Sequence, residues 1–292
     1  MISYIPAKSI VNKTKSTAWF GADYNMNIYR GCSHGCIYCD SRSDCYRNTD
    51  FDTVKAKEDA LRIIRDELRR KVRSGIIATG SMSDPYNPFE EKMKLTRNSL
   101  ELINVFKFGV SIATKSPLVT RDMDILQDIK KHSPVIVEMT VTTADDELCK
   151  EIEPYVATTS ERIEALRKLS DAGIFCGIIM MPILPFINDT EENVLAILNM
   201  AKVRGAHFVY PSFGVTLRDS QREYFYSKIE PSLAEKYKKR FGSRYSCTSP
   251  NAKKLWTVFK SECDKLGIIY NMNNIIRTYK MGYGDRQLSF FE

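Results

Sequence analysis

The chain has 292 residues, 43% apolar and 27% charged, a balance that builds a globular core and excludes disorder as the main state. Lys and Arg number 43 against 36 Asp and Glu, and the net charge of +7 fits an anionic partner or a surface that merely keeps the protein soluble. No apolar run approaches the ~18 residues of a membrane span and the N-terminus lacks the apolar stretch of a signal peptide, so a cytoplasmic protein with no membrane partner is expected.

In chain order, strands are expected near residues 25–30, 75–80, 109–114, 134–142, 173–181 and 206–211, each followed by a helical pattern. Val54, Leu61, Ile64, Leu68 and Val72 recur at helical spacing ahead of the second strand. Five times a helical pattern ends at a glycine and an apolar run begins, at Gly75, Gly109, Gly173, Gly205 and Gly267. Glycine just past a helix is the usual left-handed cap. Asp189 with Glu192, and Ser220 with Glu223, have capping-box spacing. Ser249 before Pro250 sets a cap and then proline at the first helical position. Apolar runs without alternation suit buried parallel strands, and strands alternating with helices mean a parallel α/β fold. A doubly wound sheet and a barrel both fit. In either, the chemistry sits at the carboxyl ends of the strands.

Eight cysteines are present, and three are clustered in NIYRGCSHGCIYCDSRSDCYR, just after the first strand. Cys32, Cys36 and Cys39 have the spacing C-x3-C-x2-C. Three thiolates on one short loop can hold three corners of a [4Fe–4S] cube and leave the fourth iron open. Gly31 and Gly35 let the backbone turn around it. The competing reading is a structural zinc site, with Cys45 or His34 as fourth ligand.

The loop, with Tyr38 just before its third cysteine, resembles the signature of radical S-adenosylmethionine (SAM) enzymes. The segments WFGADYNMNIYRGCSHGCIYCDSRS, TGSMSDPYNPFE, ATKSPLVTRD, EPYVATTSERIEAL and MPILPFIND resemble the spore photoproduct lyase-like branch, often labelled DNA repair photolyases. The resemblance implies a partial (β/α)6 barrel over residues 25–215. An N-terminal extension (1–24) would precede it, a helical extension (216–282) would close it, and a tail (283–292) would follow. It implies a [4Fe–4S] cluster on Cys32, Cys36 and Cys39, SAM on the open iron, a reducing electron donor and a nucleic-acid substrate, DNA above all. The alternatives are a peptide or small-molecule substrate, or a non-catalytic metal-binding adaptor.

Site roles follow from the same resemblance. TGSMSDP stands where the family places a motif for the SAM amino group, which points to Gly80, Ser81, Ser83 and Asp84, although the usual Gly-Gly-Glu wording is absent. Lys115, between Thr114 and Ser116, has an ammonium suited to the SAM carboxylate. Thr140 and Thr142 would face the ribose or sulfonium, or are simply β-branched strand formers. Tyr38 would pack by the adenine or in the core. Glu153 and Arg162 are carried as cofactor-site residues, with an ion pair on a helix as the alternative. Cys45 is the candidate for returning a hydrogen atom to the product radical. Cys149, Cys176, Cys247 and Cys263 read as buried thiols.

Two further stretches bear on partners. Lys236, Lys238, Lys239, Arg240 and Arg244 interleave with Tyr237, Phe241 and Tyr245. Charge plus stacking rings suits single-stranded nucleic acid, and an amphipathic helix gives the same pattern. The tail residues Gln287, Leu288, Ser289, Phe290 and Phe291 resemble the pentapeptide that docks bacterial proteins on the DNA sliding clamp, Phe290 departing from its usual Leu.

Overall fold

The computed structural model describes residues 3–284. Among them, six parallel strands lie side by side in chain order: β1 (Tyr24–Met26), β2 (Ile76–Thr79), β3 (Gly109–Thr114), β4 (Val135–Thr140), β5 (Phe175–Met180) and β6 (Phe208–Pro211). A doubly wound sheet reverses its strand order at a switch point. This sheet does not, so the barrel is the reading that holds. Its intervening helices are α1 (Ala60–Arg70), α2 (Leu95–Val105), α3 (Met123–Lys130), α4 (Asp146–Ile152), α5 (Thr159–Asp171) and α6 (Glu191–Val203). Then come α7 (Asp219–Lys228), α8 (Pro231–Phe241), α9 (Ala252–Leu266) and α10 (Met272–Lys280).

Side chains alternate across each strand. Ile77, Val110, Ile112, Val137, Ile178 and Val209 face outward into the core beneath the helices. Ile76, Ile136, Ile179 and Phe208 face inward and meet Phe20, Ala22, Ile275 and Tyr279. Ile76 and Phe208 open their strands and Ile136 is second in its own, so Phe20 and α10 plug the end of the barrel where the strands begin. Tyr279 Oη donates to the Phe20 carbonyl, and Lys280 Nζ to that of Gly21 at 2.7 Å. The opposite end, where the strands finish, is left for chemistry.

Several details differ from the sequence reading. Val54 precedes α1 and is buried, while Val72 follows it and is 88% exposed. Their helical spacing from Leu61 is coincidental, because Asp59 in a left-handed turn starts the helix and extended Lys71 ends it. Gly173, Gly205 and Gly267 are left-handed caps. Gly109 instead opens β3, Lys107 taking the left-handed turn before it. Gly75 makes room for Asp23, whose carboxylate accepts from the Ile76 amide at 2.8 Å.

Helix α6 is capped by Thr190, not Asp189, which is engaged by the Phe186 amide and the Ser249 hydroxyl at 2.7 and 2.5 Å. Ser220 does not cap α7 either; it donates to Asp44 at 2.5 Å. In the N-terminal segment, Val11–Lys13 joins the sheet antiparallel to β1, and Ser3–Ile5 pairs with Lys55–Lys57. Beyond β6, Gly214–Thr216 pairs with Ser246–Thr248 among the helices.

A Cβ on Gly177, in the middle of β5, would stand 2.3 Å from the Phe208 carbonyl oxygen and 2.5 Å from its ring. Gly177→Ala is therefore expected to lose about 1–3 kcal/mol by overpacking, read as a lower urea midpoint.

Candidate active site at the strand ends

The cysteine loop is strapped down on two sides. Cys32 donates its amide to the Phe51 carbonyl at 2.7 Å, and Ile37 donates to Ile152 at 3.0 Å. Gly31 has φ +80°, and a Cβ there would lie 2.2 Å from the Thr53 carbonyl oxygen, so only glycine fits. Cys36 is buried and Cys32 and Cys39 are partly so; all three are free thiols. Burial pushes Cys32 up to about 11, and raises Cys36 and Cys39 as well. Neutral on their own, these thiols need a nearby positive charge to ionise.

Lys115 supplies one such charge. It lies beyond β3 with Nζ 5.7 Å from the Tyr38 ring centroid. Burial opposes its charge, but Cys36 and Glu153 outweigh that and raise its pKa. Its ammonium makes no hydrogen bond or ion pair among the described residues.

Behind the loop lies a buried ion pair. Glu153, at the end of α4, meets Arg162 of α5 at 2.5 Å, both side chains 0% exposed. Tyr38 Oη donates to the other Glu153 oxygen. Arg162 also donates to the carbonyls of Ala157 and Thr140 at 2.8 and 3.1 Å. One pair thus joins the cysteine loop, the end of β4 and α5. The hydrogen-bonding capacity of Glu153 and Arg162 is taken up internally, and they brace the site.

Asp84 does similar work after β2. It accepts from Thr114 Oγ1 at 2.7 Å and from the Lys115 and Tyr86 amides, both at 2.8 Å. His34 Nδ1 stands 3.6 Å away. Ser83 donates to the Gly31 carbonyl, and Ser116 caps the turn at Leu118. Gly80 has φ +101°, and a Cβ would sit 1.8 Å from the Ala113 carbonyl oxygen. These residues build the platform.

The remaining candidates present free groups. Ser81 is exposed, and among the described residues Lys115 is unpaired and the buried Thr142 hydroxyl has no partner. Thr140 is the inward residue that ends β4, two before Thr142.

Cys45 lies apart, exposed in the short turn Asp44–Tyr46, with Ser43 Oγ at 3.5 Å. In the basic stretch, Tyr237 and Phe241 are core residues. Tyr237 donates to the Pro185 carbonyl at 2.6 Å, so these rings are not stacking platforms; Tyr245 alone is exposed. Lys238 pairs with Glu235, and Lys236 lies 4.2 Å from the Phe186 ring centroid. Gln287 to Phe291 fall outside the described residues.

Sequence reasoning missed Glu138. It points into the barrel from β4, flanked in register by Ala113 and Gly177, and is 2% exposed. Its partner is Ser111, which donates at 2.6 Å. Burial raises its pKa from the ordinary 4.5 to about 8. A charged residue at an inward position of a buried strand was the available signal.

The profile of the radical SAM superfamily matches residues 26–198. The chain belongs to this superfamily. An uncharacterized protein of Mycobacterium tuberculosis is 31% identical over 244 residues, covering 80% of this chain and 72% of the relative. One of Methanocaldococcus jannaschii is 38% identical over 190 residues, 64% of this chain and 69% of the relative. A radical SAM Nalpha-GlyT isomerase of Pseudomonas phage M6 is 20% identical, covering 97% of this chain and 64% of the relative. Among solved structures, spore photoproduct lyase complexed with dinucleoside spore photoproduct superposes with a TM-score of 0.66 at 14% identity, over 90% of this chain and 79% of that one. A variant of that lyase with bound AdoMet and the same photoproduct gives 0.65 at 14% identity, over 90% and 79%. The fold is therefore the partial barrel also seen in spore photoproduct lyase, and membership of the radical SAM superfamily makes the chain an enzyme. No helix among the described residues is long and apolar enough to cross a membrane.

Two variants test these buried groups. Glu153→Gln leaves the Arg162 guanidinium buried without its counter-charge and is expected to cost about 3–5 kcal/mol, read by urea denaturation; a loss near zero contradicts the bracing role. Glu138 holds a proton in the folded state that the unfolded chain releases above pH 4.5. Its contribution is full below pH 4.5 and is lost as the pH rises through about 8. Urea midpoints measured across that range should fall with pH, and the fall should be smaller in Glu138→Gln.

Proposed function

We propose that this radical SAM protein binds a [4Fe–4S] cluster through Cys32, Cys36 and Cys39, binds SAM at the adjoining strand ends, and modifies a nucleic-acid base. The observation that carries this reading is the set of three free thiols, one buried and two partly so, beside the Lys115 ammonium, which is unpaired among the described residues, at the end of the barrel where the strands finish. The donor set fits the group. Thiolates are the ligands of such clusters, and Gly31, which has no room for a Cβ against the Thr53 carbonyl, lets the loop turn tightly enough to bring them together. Among the described residues, no three His, Cys, Asp or Glu side chains are arranged to hold a single metal ion; the corners of a cube are not required to converge on one point.

When bound, the cluster and SAM would supply radical hydrogen-abstraction chemistry, driven by one electron from an external reductant. The chain's own residues bind, orient and exclude. Lys115 pairs with the SAM carboxylate as a point charge. The carbonyls around Gly80 and the Ser81 hydroxyl accept from its amino group, and Thr140 and Thr142 offer hydroxyls to its ribose. Asp84, Ser83, Thr114 and Ser116 fix the loops that carry these groups. Tyr38, held by Glu153, sets the inner wall.

A nucleic-acid substrate is supported by the net charge of +7. It is supported also by the fold shared with a lyase solved with a dinucleoside photoproduct. The cations of α8 serve as phosphate contacts in this reading, without stacking by Tyr237 or Phe241. Cys45 is the proposed hydrogen-atom donor, and Gln287 to Phe291 the proposed clamp-binding peptide.

The direct test is anaerobic reconstitution, reduction and quantification of 5′-deoxyadenosine. Product should form with the native chain and vanish in Cys36→Ala; product retained in that variant would sink the assignment. Lys115→Ala should weaken SAM binding about tenfold or more, the loss of a charge-assisted hydrogen bond, measured by equilibrium dialysis.

A further inference from the structure

A second concave feature lies beside the proposed cofactor site. It has a volume of about 350 Å³, within the range of small-molecule sites. One wall is the small sheet in which Ser3–Ile5 and Tyr29–Arg30 flank Lys55–Lys57. The opposite wall comprises Gly31 and Ser41 of the cysteine loop and Met82 of the loop after β2. A group bound here adjoins the strand ends without occupying the thiol site.

The charges in this cavity are one-sided. Arg30 and Lys57 both line it, and no carboxylate does. Arg30 donates from one nitrogen to the Arg47 carbonyl and makes no ion pair among the described residues. Lys57 makes neither a side-chain hydrogen bond nor an ion pair there, whereas Lys55, two residues earlier, has Asp50 at 3.2 Å. Glu67 is near enough to favour the Lys57 charge, but its oxygens are engaged by the Ser9 hydroxyl at 2.5 Å and the Ile10 and Val11 amides at 3.1 and 2.7 Å. Burial foremost, with the Arg30 guanidinium adding to it, holds Lys57 below the usual lysine value despite Glu67. A partly buried ammonium beside an exposed guanidinium, with no carboxylate among the residues that line the cavity, favours a ligand that brings an anion.

We propose that the cavity between the N-terminal strand and the cysteine loop is an anion subsite, in which Lys57 and Arg30 hold a phosphate group of the substrate next to the reacting base. A guanidinium fork with an ammonium beside it suits phosphate oxygens. The Tyr29 and Phe51 rings that also line the cavity offer apolar surface to the attached sugar. The phosphate's belonging to a polynucleotide rests on the nucleic-acid reading above; the anion site itself does not.

The test uses the anaerobically reconstituted holoprotein with two probes: inorganic phosphate, and a fluorescein-labelled single-stranded oligothymidylate followed by anisotropy from about 50 to 200 mM salt. Lys57→Gln should bind the oligonucleotide about tenfold more weakly, with the salt slope reduced by about one. Inorganic phosphate should compete against the native protein and lose its effect in the variant. Lys57→Arg should restore binding, and Arg30→Gln carries the same expectation as Lys57→Gln should that variant fail to fold. Unchanged affinity and slope in Lys57→Gln overturn the proposal. If the native protein ignores the oligonucleotide, yet phosphate raises its melting temperature and not that of Lys57→Gln, the anion site stands and the nucleic-acid reading falls. If neither probe binds, the anion site falls.

Discussion

The Glu153–Arg162 pair is the constraint on which the candidate site depends, because it joins parts of the chain that no backbone ladder connects. It lies wholly inside the protein, where separating the charges from water is costly and is offset only when every remaining group is satisfied. Here they are satisfied by Tyr38 from the cysteine loop and by the carbonyls of Thr140 and Ala157. The geometry of the thiols is thereby tied to the end of β4. A loop that must hold three sulfur ligands needs such anchoring, since ligand positions left to a free loop would not be reproducible.

A division of labour follows along the strand ends. Asp84, Thr114, Ser83 and Ser116 are polar and close to the site, yet each has its partner within the protein. Lys115, Ser81 and Thr142 keep free groups. The first set fixes positions and the second is left to bind. Deeper in the barrel, Glu138 stands between Ala113 and Gly177, the small neighbours leaving space around a carboxyl that burial keeps protonated. The small sheet with Lys57 adds positive charge on the β1 side.

The parallel α/β order was legible in the sequence because buried strands are short apolar runs and the helices between them are amphipathic. The six strands fall within a few residues of their expected places. Composition did not choose between a barrel and a doubly wound sheet; strand order did, and order is a long-range property that local pattern does not encode. The grouping of Cys32, Cys36 and Cys39 on one loop was legible from their spacing. The partner of Asp84 was not, and Glu153 with Arg162 stayed between a cofactor role and an ion pair, since a side chain that binds a ligand and one that binds its neighbour are the same residue type in the sequence. The Asp189 and Ser220 caps failed for a related reason. Tertiary partners, Ser249 for the one and Asp44 for the other, took the side chains that local spacing assigned to helix ends. Lys57 was invisible because its meaning lies in the carboxylate it lacks.

The claim that the loop holds a SAM-binding cluster is tested most directly by electron paramagnetic resonance of the reduced, anaerobically reconstituted protein, recorded with and without SAM. The account predicts a [4Fe–4S]+ signal whose g values shift when SAM is added, as an open iron gains a ligand. A protein that takes up zinc in place of iron, or a cluster signal indifferent to SAM, would contradict it.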